Sequence, residues 1–338
     1  MTYLDDIASQ PGALAELIRQ GPDPDAVDLL ARRLRSADRI VLTGMGASHF
    51  ALYPTYLRLV QLGLPAWWVE TSELLHHQDR LVTDTTLVWI TSQSGRSIEA
   101  KLMAEALHAQ GAPLLATTND SESPLAAQAE AVIPLRMDAE DAVSTRSYVN
   151  TLAANEMTLN AALDLGASGD TAAVVEALSR YLAERQAHLE QMADVVGVPT
   201  RLFVVGRGAS LAAAWTGALV IKEAAKVPVE GMNAAQFRHG PLELADARLT
   251  VLLLPGDDAT RPRMRRLAED LCLYGAQAIW LGADAPSGAQ SLDAPAGHGS
   301  AQAIAEIVPL QLLSVSLAQL TGIDPGVFRH LGKVTLVD

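Results

Sequence analysis

Short apolar runs that end in glycine set the rhythm of this chain. Arg39-Ile40-Val41-Leu42-Thr43 leads into Gly44-Met45-Gly46-Ala47-Ser48, and Arg201-Leu202-Phe203-Val204-Val205 leads into Gly206-Arg207-Gly208-Ala209-Ser210. Each pentapeptide opens an alanine- and leucine-rich stretch with the character of a helix. The pattern of strand, glycine turn and helix therefore occurs twice. Such a turn leaves backbone N–H groups facing outward at a helix N-terminus, where an anion is favoured because glycine has no Cβ and the helix dipole attracts negative charge.

In the first half, the pattern predicts strands at 39–44, 65–70, 85–91, 112–117 and 130–135, with helices at about 47–62, 71–78, 97–110 and 121–128 between them. Strands that alternate with helices imply a parallel sheet covered on both faces, and right-handed crossovers make it doubly wound. The fold class expected is α/β, with two tandem doubly wound parallel sheets of flavodoxin type. Ligands of such sheets sit beyond the carboxyl ends of the strands. Residues 145–193 read as long helices interrupted around Gly166-Ala167-Ser168-Gly169-Asp170. The second half restarts with strands at 201–206, 249–254 and 277–281, a helix at about 302–321 and a last extended segment at Val334-Thr335-Leu336-Val337.

Length agrees with two units: 338 residues with 49% hydrophobic content exceed one ordinary domain. The division expected is 1–165, a first domain with an N-terminal helical segment, and 166–338, a connecting helix followed by a second domain. A formal net charge of −14 argues against nucleic acid or an anionic membrane surface as partner, so any phosphate recognised is a small one. No apolar run is read as approaching the roughly 18 residues of a membrane span, and the start, Met1-Thr2-Tyr3-Leu4-Asp5-Asp6, lacks a signal-like pattern. A cytoplasmic location is the expectation. Cys272, the single cysteine, excludes an intrachain disulfide and reads as a buried helical position.

The most chemically telling stretch is Val88-Trp89-Ile90-Thr91-Ser92-Gln93-Ser94-Gly95-Arg96-Ser97. A buried strand runs into short hydroxylic residues and a glycine, then into a helix. Hydroxyls and free N–H groups at a helix start cradle phosphate without a cation. Serine is also an ordinary helix N-cap, which is the simpler account of any one of these residues. Ser48 converges on the same strand ends, and Ser144-Thr145-Arg146 forms another hydroxylic helix start. At the corresponding place in the second half, Leu254-Pro255-Gly256-Asp257-Asp258 carries carboxylates instead, which repel phosphate. The first unit is thus expected to hold the anion; in the second, Lys222 and Glu223 taken alone read as helix-surface charges, His239 as a turn residue and Lys333 as a tail residue.

Together, Gly46-Ala47-Ser48, Ser92-Gln93-Ser94-Gly95-Arg96-Ser97, Ser144-Thr145-Arg146 and Phe237-Arg238-His239-Gly240-Pro241-Leu242 resemble the sugar isomerase (SIS) family. The resemblance is closest to its double-SIS members, the isomerase half of glutamine:fructose-6-phosphate amidotransferase and the stand-alone glucosamine-6-phosphate deaminases and fructosamine-6-phosphate deglycases. It implies that Ser48, Ser92, Gln93, Ser94 and Ser97 bind the phosphate of a sugar phosphate, with Ser144 and Thr145 closing the other side. It also implies that His239 opens the sugar ring, that Glu223 moves the proton between C1 and C2, and that Lys333 lies over the site. A homodimer, with His239 reaching the neighbouring subunit's sugar, is a further implication. No cofactor and no metal is expected, since His76, His77 and the other histidines lack partners at ligand spacing.

Departures from the family pattern narrow the reading. Thr216 and Val220 stand where the amidotransferase has a glutamate and a lysine, and Arg146 where it has a lysine. Only about 38 residues precede the first strand and none is a cysteine that could serve a glutaminase. A stand-alone isomerase or deaminase is the expectation; a sugar-phosphate sensor without turnover is the alternative. A nicotinamide-dependent dehydrogenase is disfavoured, because His49 and Leu211 occupy the third glycine position of the dinucleotide fingerprint.

Overall fold

The computed structural model describes residues 2–140, 143–166, 169–332 and 334–335. Two compact units form, one from Gly12–Glu140, Arg146–Gly169 and His330–Asp338, the other from Met1–Pro11, Asp141–Thr145 and Asp170–Arg329. Their elements begin with α1 (Tyr3–Gln20) and α2 (Pro24–Ser36). The Asp23 carboxylate caps α2 by accepting from the Asp25 and Ala26 N–H groups, and Pro24 supplies a fixed φ at the first helical position.

The first sheet contains β1 (Arg39–Gly44), β2 (Ala66–Glu70), β3 (Thr86–Thr91), β4 (Leu114–Thr118) and β5 (Ala131–Pro134), all parallel, in the order β2-β1-β3-β4-β5. Between β1 and β2 the expected single helix is two, α3 (Gly46–Ala51) and α4 (Tyr53–Gln61). Pro54 explains the break: it suits the first turn of α4 but has no N–H to continue α3. The remaining crossovers are α5 (Thr71–His76), α6 (Ile98–Gln110) and α7 (Pro124–Gln128), and α8 (Arg146–Ala162) follows β5. Val41, Val88, Ile90 and Leu114 build one core with Met103 and Leu107 of α6. The alternate residues Ile40, Leu42, Leu87, Trp89 and Leu115 are equally buried, as a sheet covered on both faces requires.

After α9 (Gly169–Ala183) and α10 (Arg185–Val196), the second sheet repeats the first. Its parallel strands are β6 (Arg201–Gly206), β7 (Val229–Asn233), β8 (Leu249–Leu253), β9 (Gln277–Leu281) and β10 (Gln290–Leu292). Read from β7, the order is β7-β6-β8-β9-β10, the same permutation as the first sheet. The helices are α11 (Ser210–Ala225), α12 (Ala234–Phe237), α13 (Arg261–Leu273) and α14 (Gln302–Leu320). Two strands escape the sequence pattern. β7 is an edge strand carrying Glu230 and Gly231, and β10 has three residues; neither shows a sustained apolar run.

Two sequence expectations need correction. Cys272 is half-buried at the edge of the second core, not enclosed, and burial raises its thiol pKa. α14 is also long and apolar enough to span a bilayer, with mean hydropathy 1.6 over its best window. It lies instead in the protein interior, 89% of that window being buried. Some of its polar groups are answered there: Gln10 Nε2 donates to Gln311 Oε1 at 2.7 Å, and the Ser314 hydroxyl lies 3.1 Å from that of Tyr3. A helix apolar on all sides is buried either in lipid or in a core, and the packing selects the core.

Helices α11 and α14 pack through Gly217, where an added Cβ would stand 2.3 Å from Leu310 Cδ1 and 2.9 Å from Leu310 Cβ. Gly217→Ala should therefore destabilise the protein by about 1 to 3 kcal/mol through overpacking, despite alanine's better helix propensity. Urea unfolding measures this, and equal or greater stability in the variant would contradict the close approach.

Candidate functional site

Both sheets reverse strand order beside their first strand, and the crevice at such a switch point is where open α/β sheets bind ligands. In the first sheet it lies between β1 and β3, whose ends are in register at Gly44 and Thr91. A Cβ on Gly44 would meet the His49 N and the Thr91 O at 3.0 Å, so any side chain here would press on the backbone where the chain turns from β1 into α3. The turn opens directly into α3, where Ser48 stands half-buried in the first turn.

That departing chain is a tightly hydrogen-bonded loop. Ser92 N–H donates to the Thr117 carbonyl at 3.0 Å, the Gln93 carbonyl accepts from Asn119 N–H at 3.0 Å, and Gly95 N–H donates to the Ser92 carbonyl at 3.1 Å. Gly95 has φ +59°, and a Cβ there would stand 2.1 Å from Ser123 Oγ, so the loop is both left-handed and pressed against its neighbour. Ser94 Oγ accepts from Arg96 N–H at 3.2 Å, while Asp120 takes the Arg96 guanidinium at 2.7 Å. Backbone bonds thus help fix the loop and leave the Ser92 and Gln93 side chains unspent.

Ser97 is the N-cap residue of α6, yet its hydroxyl makes no capping bond. The simpler N-cap account is therefore not realised at this serine. Among the described residues, the side chains of Ser48, Ser92, Gln93 and Ser97 have no protein hydrogen bond. Hydroxyls left unspent at a helix start, at the end of a buried strand, form an anion-ready surface. The first α6 amide, Ile98 N–H, is taken by the Thr335 carbonyl of the C-terminal segment at 3.1 Å.

The other expected residues lie elsewhere. Ser144 and Thr145, half-buried and buried respectively, precede α8 in the segment Asp141–Thr145 that belongs to the second sheet's unit. Gln311 Nε2 donates to the Ser144 carbonyl at 3.4 Å within that unit. Glu223, half-buried in the last turn of α11, follows exposed Lys222 and precedes buried Ala224 and Ala225. Lys226 Nζ donates to the Glu223 carbonyl and, at 2.7 Å, to that of Val327. His239 is exposed at the turn after α12, its N–H donating to the Gln236 carbonyl at 2.8 Å. Lys333 lies outside the described residues, as does most of the expected terminal strand; Val334 and Thr335 are described and are not strand.

The second sheet's crevice, between β6 and β8, is furnished differently. Asp257 Oδ1 accepts from the N–H and hydroxyl of Thr260 at 2.9 and 2.7 Å, ahead of α13, and its other oxygen stands 3.4 Å from where a Gly208 Cβ would be. A carboxylate therefore occupies the approach to the second glycine turn. Sequence reasoning missed Glu306, which α14 buries beside this turn. Gln302 Nε2 donates to its Oε1 at 2.6 Å, while Oε2 has no partner at full hydrogen-bond geometry. Burial pushes the Glu306 pKa up to about 7, against the pull of Gln302, Ser210, the Gly256 backbone and Arg261. Nothing in the local sequence marks it beyond one acidic residue inside an apolar helical run.

The Glu306 shift has a definite sign. The unfolded chain ionises this carboxyl near 4.5 and the folded chain near 7, so its contribution is complete below pH 4.5 and lost as pH rises through 7. Stability attributable to Glu306 should fall by about 3 kcal/mol across that window. Glu306→Gln removes the charge and should flatten this part of the profile, becoming more stable than the parent at pH 8. Urea unfolding at pH 5 and pH 8 measures it; parallel profiles for both proteins would contradict a neutral buried carboxyl.

Comparison with known proteins places these features in a family. A profile described as the SIS domain matches residues 33–161 and 198–320, covering each sheet in turn. The glutamine--fructose-6-phosphate aminotransferase [isomerizing] of Pyrobaculum aerophilum is 28% identical over 346 residues, spanning 99% of this chain and 57% of the relative. The chain thus spans about half the length of the curated relatives it matches. The C-terminal domain of glucosamine-fructose-6-phosphate aminotransferase from Francisella tularensis superposes with TM-score 0.81 at 21% identity, over 96% of this chain and 97% of that one. Glucosamine-6-phosphate deaminase from Thermotoga maritima superposes with TM-score 0.74 at 19% identity, over 99% of both chains. At those identities the two structures show the fold alone.

Proposed function

The chain belongs to the SIS domain family, and from that premise we propose that it is a phosphosugar isomerase or amino-sugar-phosphate deaminase acting on a hexose or amino-hexose 6-phosphate. The observation that carries the reading is the set of unspent side chains at the β1/β3 switch point, Ser48, Ser92, Gln93 and Ser97. With Ser94 they suit a phosphate dianion, and Ser144 and Thr145 complete the proposed phosphate set. Glu223 is the proposed carrier of the proton between C1 and C2, His239 the acid that opens the ring, and Lys333 the group over the open-chain sugar. A carboxylate suits the transfer because the proton leaves and returns to carbon on one face of a planar enediol or enolamine. The proposed enzyme is a cytoplasmic homodimer in which His239 serves the neighbouring subunit's sugar.

A sensor without turnover is the second reading, and one observation favours it. Positions 216 and 220 of α11 hold the uncharged Thr216 and Val220, both fully buried. Incubation with glucosamine 6-phosphate and fructose 6-phosphate, following ketose and ammonia separately, distinguishes the outcomes. Ketose with ammonia identifies a deaminase, ketose alone an isomerase, and binding without turnover a sensor.

Replacing both Ser92 and Ser94 by alanine should weaken sugar-phosphate binding by several kcal/mol at most, since a hydrogen bond to a charged group is worth about 1.5 to 3 kcal/mol. Unchanged affinity in calorimetry rules the cradle out. Glu223→Gln should keep affinity within about a few-fold while lowering turnover roughly 100-fold to 10,000-fold, the range of general acid-base catalysis. C2 proton exchange with deuterated water at the parent rate in this variant would assign the base to another residue.

A further inference from the structure

The second sheet's crevice gathers arginines that none of the proposed chemistry uses. Arg207 follows Gly206, which is in register with Asn233 of β7. From Asn233 the chain runs directly through α12 to Arg238, with Phe237 packed edge-on against Phe203 of β6 at 5.3 Å. On the opposite side, Gly256 backs onto the Arg207 carbonyl, and the same loop leads into the first turn of α13, where Arg263 stands. Topology therefore brings Arg207, Arg238 and Arg263 to the carboxyl end of one sheet.

Two of the three charges are poorly answered. Arg238 pairs with Asp270 at 2.7 Å, whereas Arg263 spends only one N–H, on the Ala259 carbonyl at 2.9 Å. Arg207 has no ion-pair partner among the described residues, and its Nε is buried without an acceptor. Burial depresses the Arg207 pKa, and the charges of Arg263 and Arg238 depress it further. In a chain with formal charge −14, Arg207 and Arg263, which have no carboxylate partner among the described residues, are a local exception that attracts anions from solution. Asp257, the nearby carboxylate that guards the glycine turn, is engaged by Thr260.

We propose that Arg207, Arg238 and Arg263 form a second anion site, at the β6/β8 crevice, that takes the phosphoryl group of a small phosphate monoester. The chemistry differs from that of the first sheet. Hydroxyls and N–H groups make the cradle there, while planar guanidinium forks make this one, and a tetrahedral dianion can accept from several forks at once where a carboxylate satisfies about one. The site does not depend on the function proposed above.

Equilibrium dialysis of the full chain against labelled inorganic phosphate tests it. Two equivalents should bind the parent protein, Ser92→Ala/Ser94→Ala should lose one, and Arg263→Glu should lose the other. Arg263 is exposed, so the parent fold is expected in the variant; Arg238→Gln should weaken the same equivalent at least about tenfold. Unchanged stoichiometry and affinity in both arginine variants would overturn the proposal. If the equivalent lost in Arg263→Glu survives Ser92→Ala/Ser94→Ala, this site stands. If the serine variant also retains both equivalents, the first-sheet cradle fails.

Discussion

The structure depends on a steric requirement met twice. Where a parallel sheet reverses its strand order, the chain leaving the first strand must fold back at once to begin a covering helix, directly beside the end of the third. Gly44 meets that demand with the His49 and Thr91 backbones 3.0 Å from where a Cβ would sit, and Gly206 does so with the Ser210 carbonyl at 2.9 Å. A larger residue would press the first turn of the helix against the strand ends. The same permutation of strands in both sheets follows from repeating one such unit.

With the backbone alike, the two crevices are separated by side-chain chemistry. The first ends in a loop whose backbone groups are bonded internally, which fixes serine and glutamine side chains without consuming them. The second receives Asp257 from its loop and Glu306 from α14, so carboxyl groups stand where an anion would enter the glycine turn. An interior carboxyl with a pKa near 7 is tolerable because it is neutral over the acidic half of the physiological range. Around this occupied turn, the arginines offer a differently built surface for negative charge.

The proposed acid-base residue Glu223 sits at the end of a helix that is otherwise core. α11 buries Thr216 and Val220 completely, while its last turn emerges with Glu223 half-buried and Lys222 exposed. Lys226, in a left-handed conformation after the helix, ties the Glu223 carbonyl to the Val327 carbonyl and so anchors the chain that follows α14.

By itself the sequence determined the repeated strand-turn-helix units, the parallel doubly wound class and the serine-rich strand end. Apolar runs, glycine turns and hydroxyl clusters are local properties of a few consecutive residues, and they were legible for that reason. The edge strands β7 and β10 were not, because a strand paired on one side needs no sustained apolar run. Tertiary structure alone decided that α14 lies in a core and not in lipid, since both burials demand the same composition. It also decided that Ser97 leaves its hydroxyl uncapped, that Glu306 is a buried carboxyl beside a glycine turn about a hundred residues earlier, and that three arginine-bearing segments lie at the carboxyl end of one sheet. Each of these depends on which distant residues become neighbours, and the crossing of the chain through the sheet, not any local pattern, supplies them.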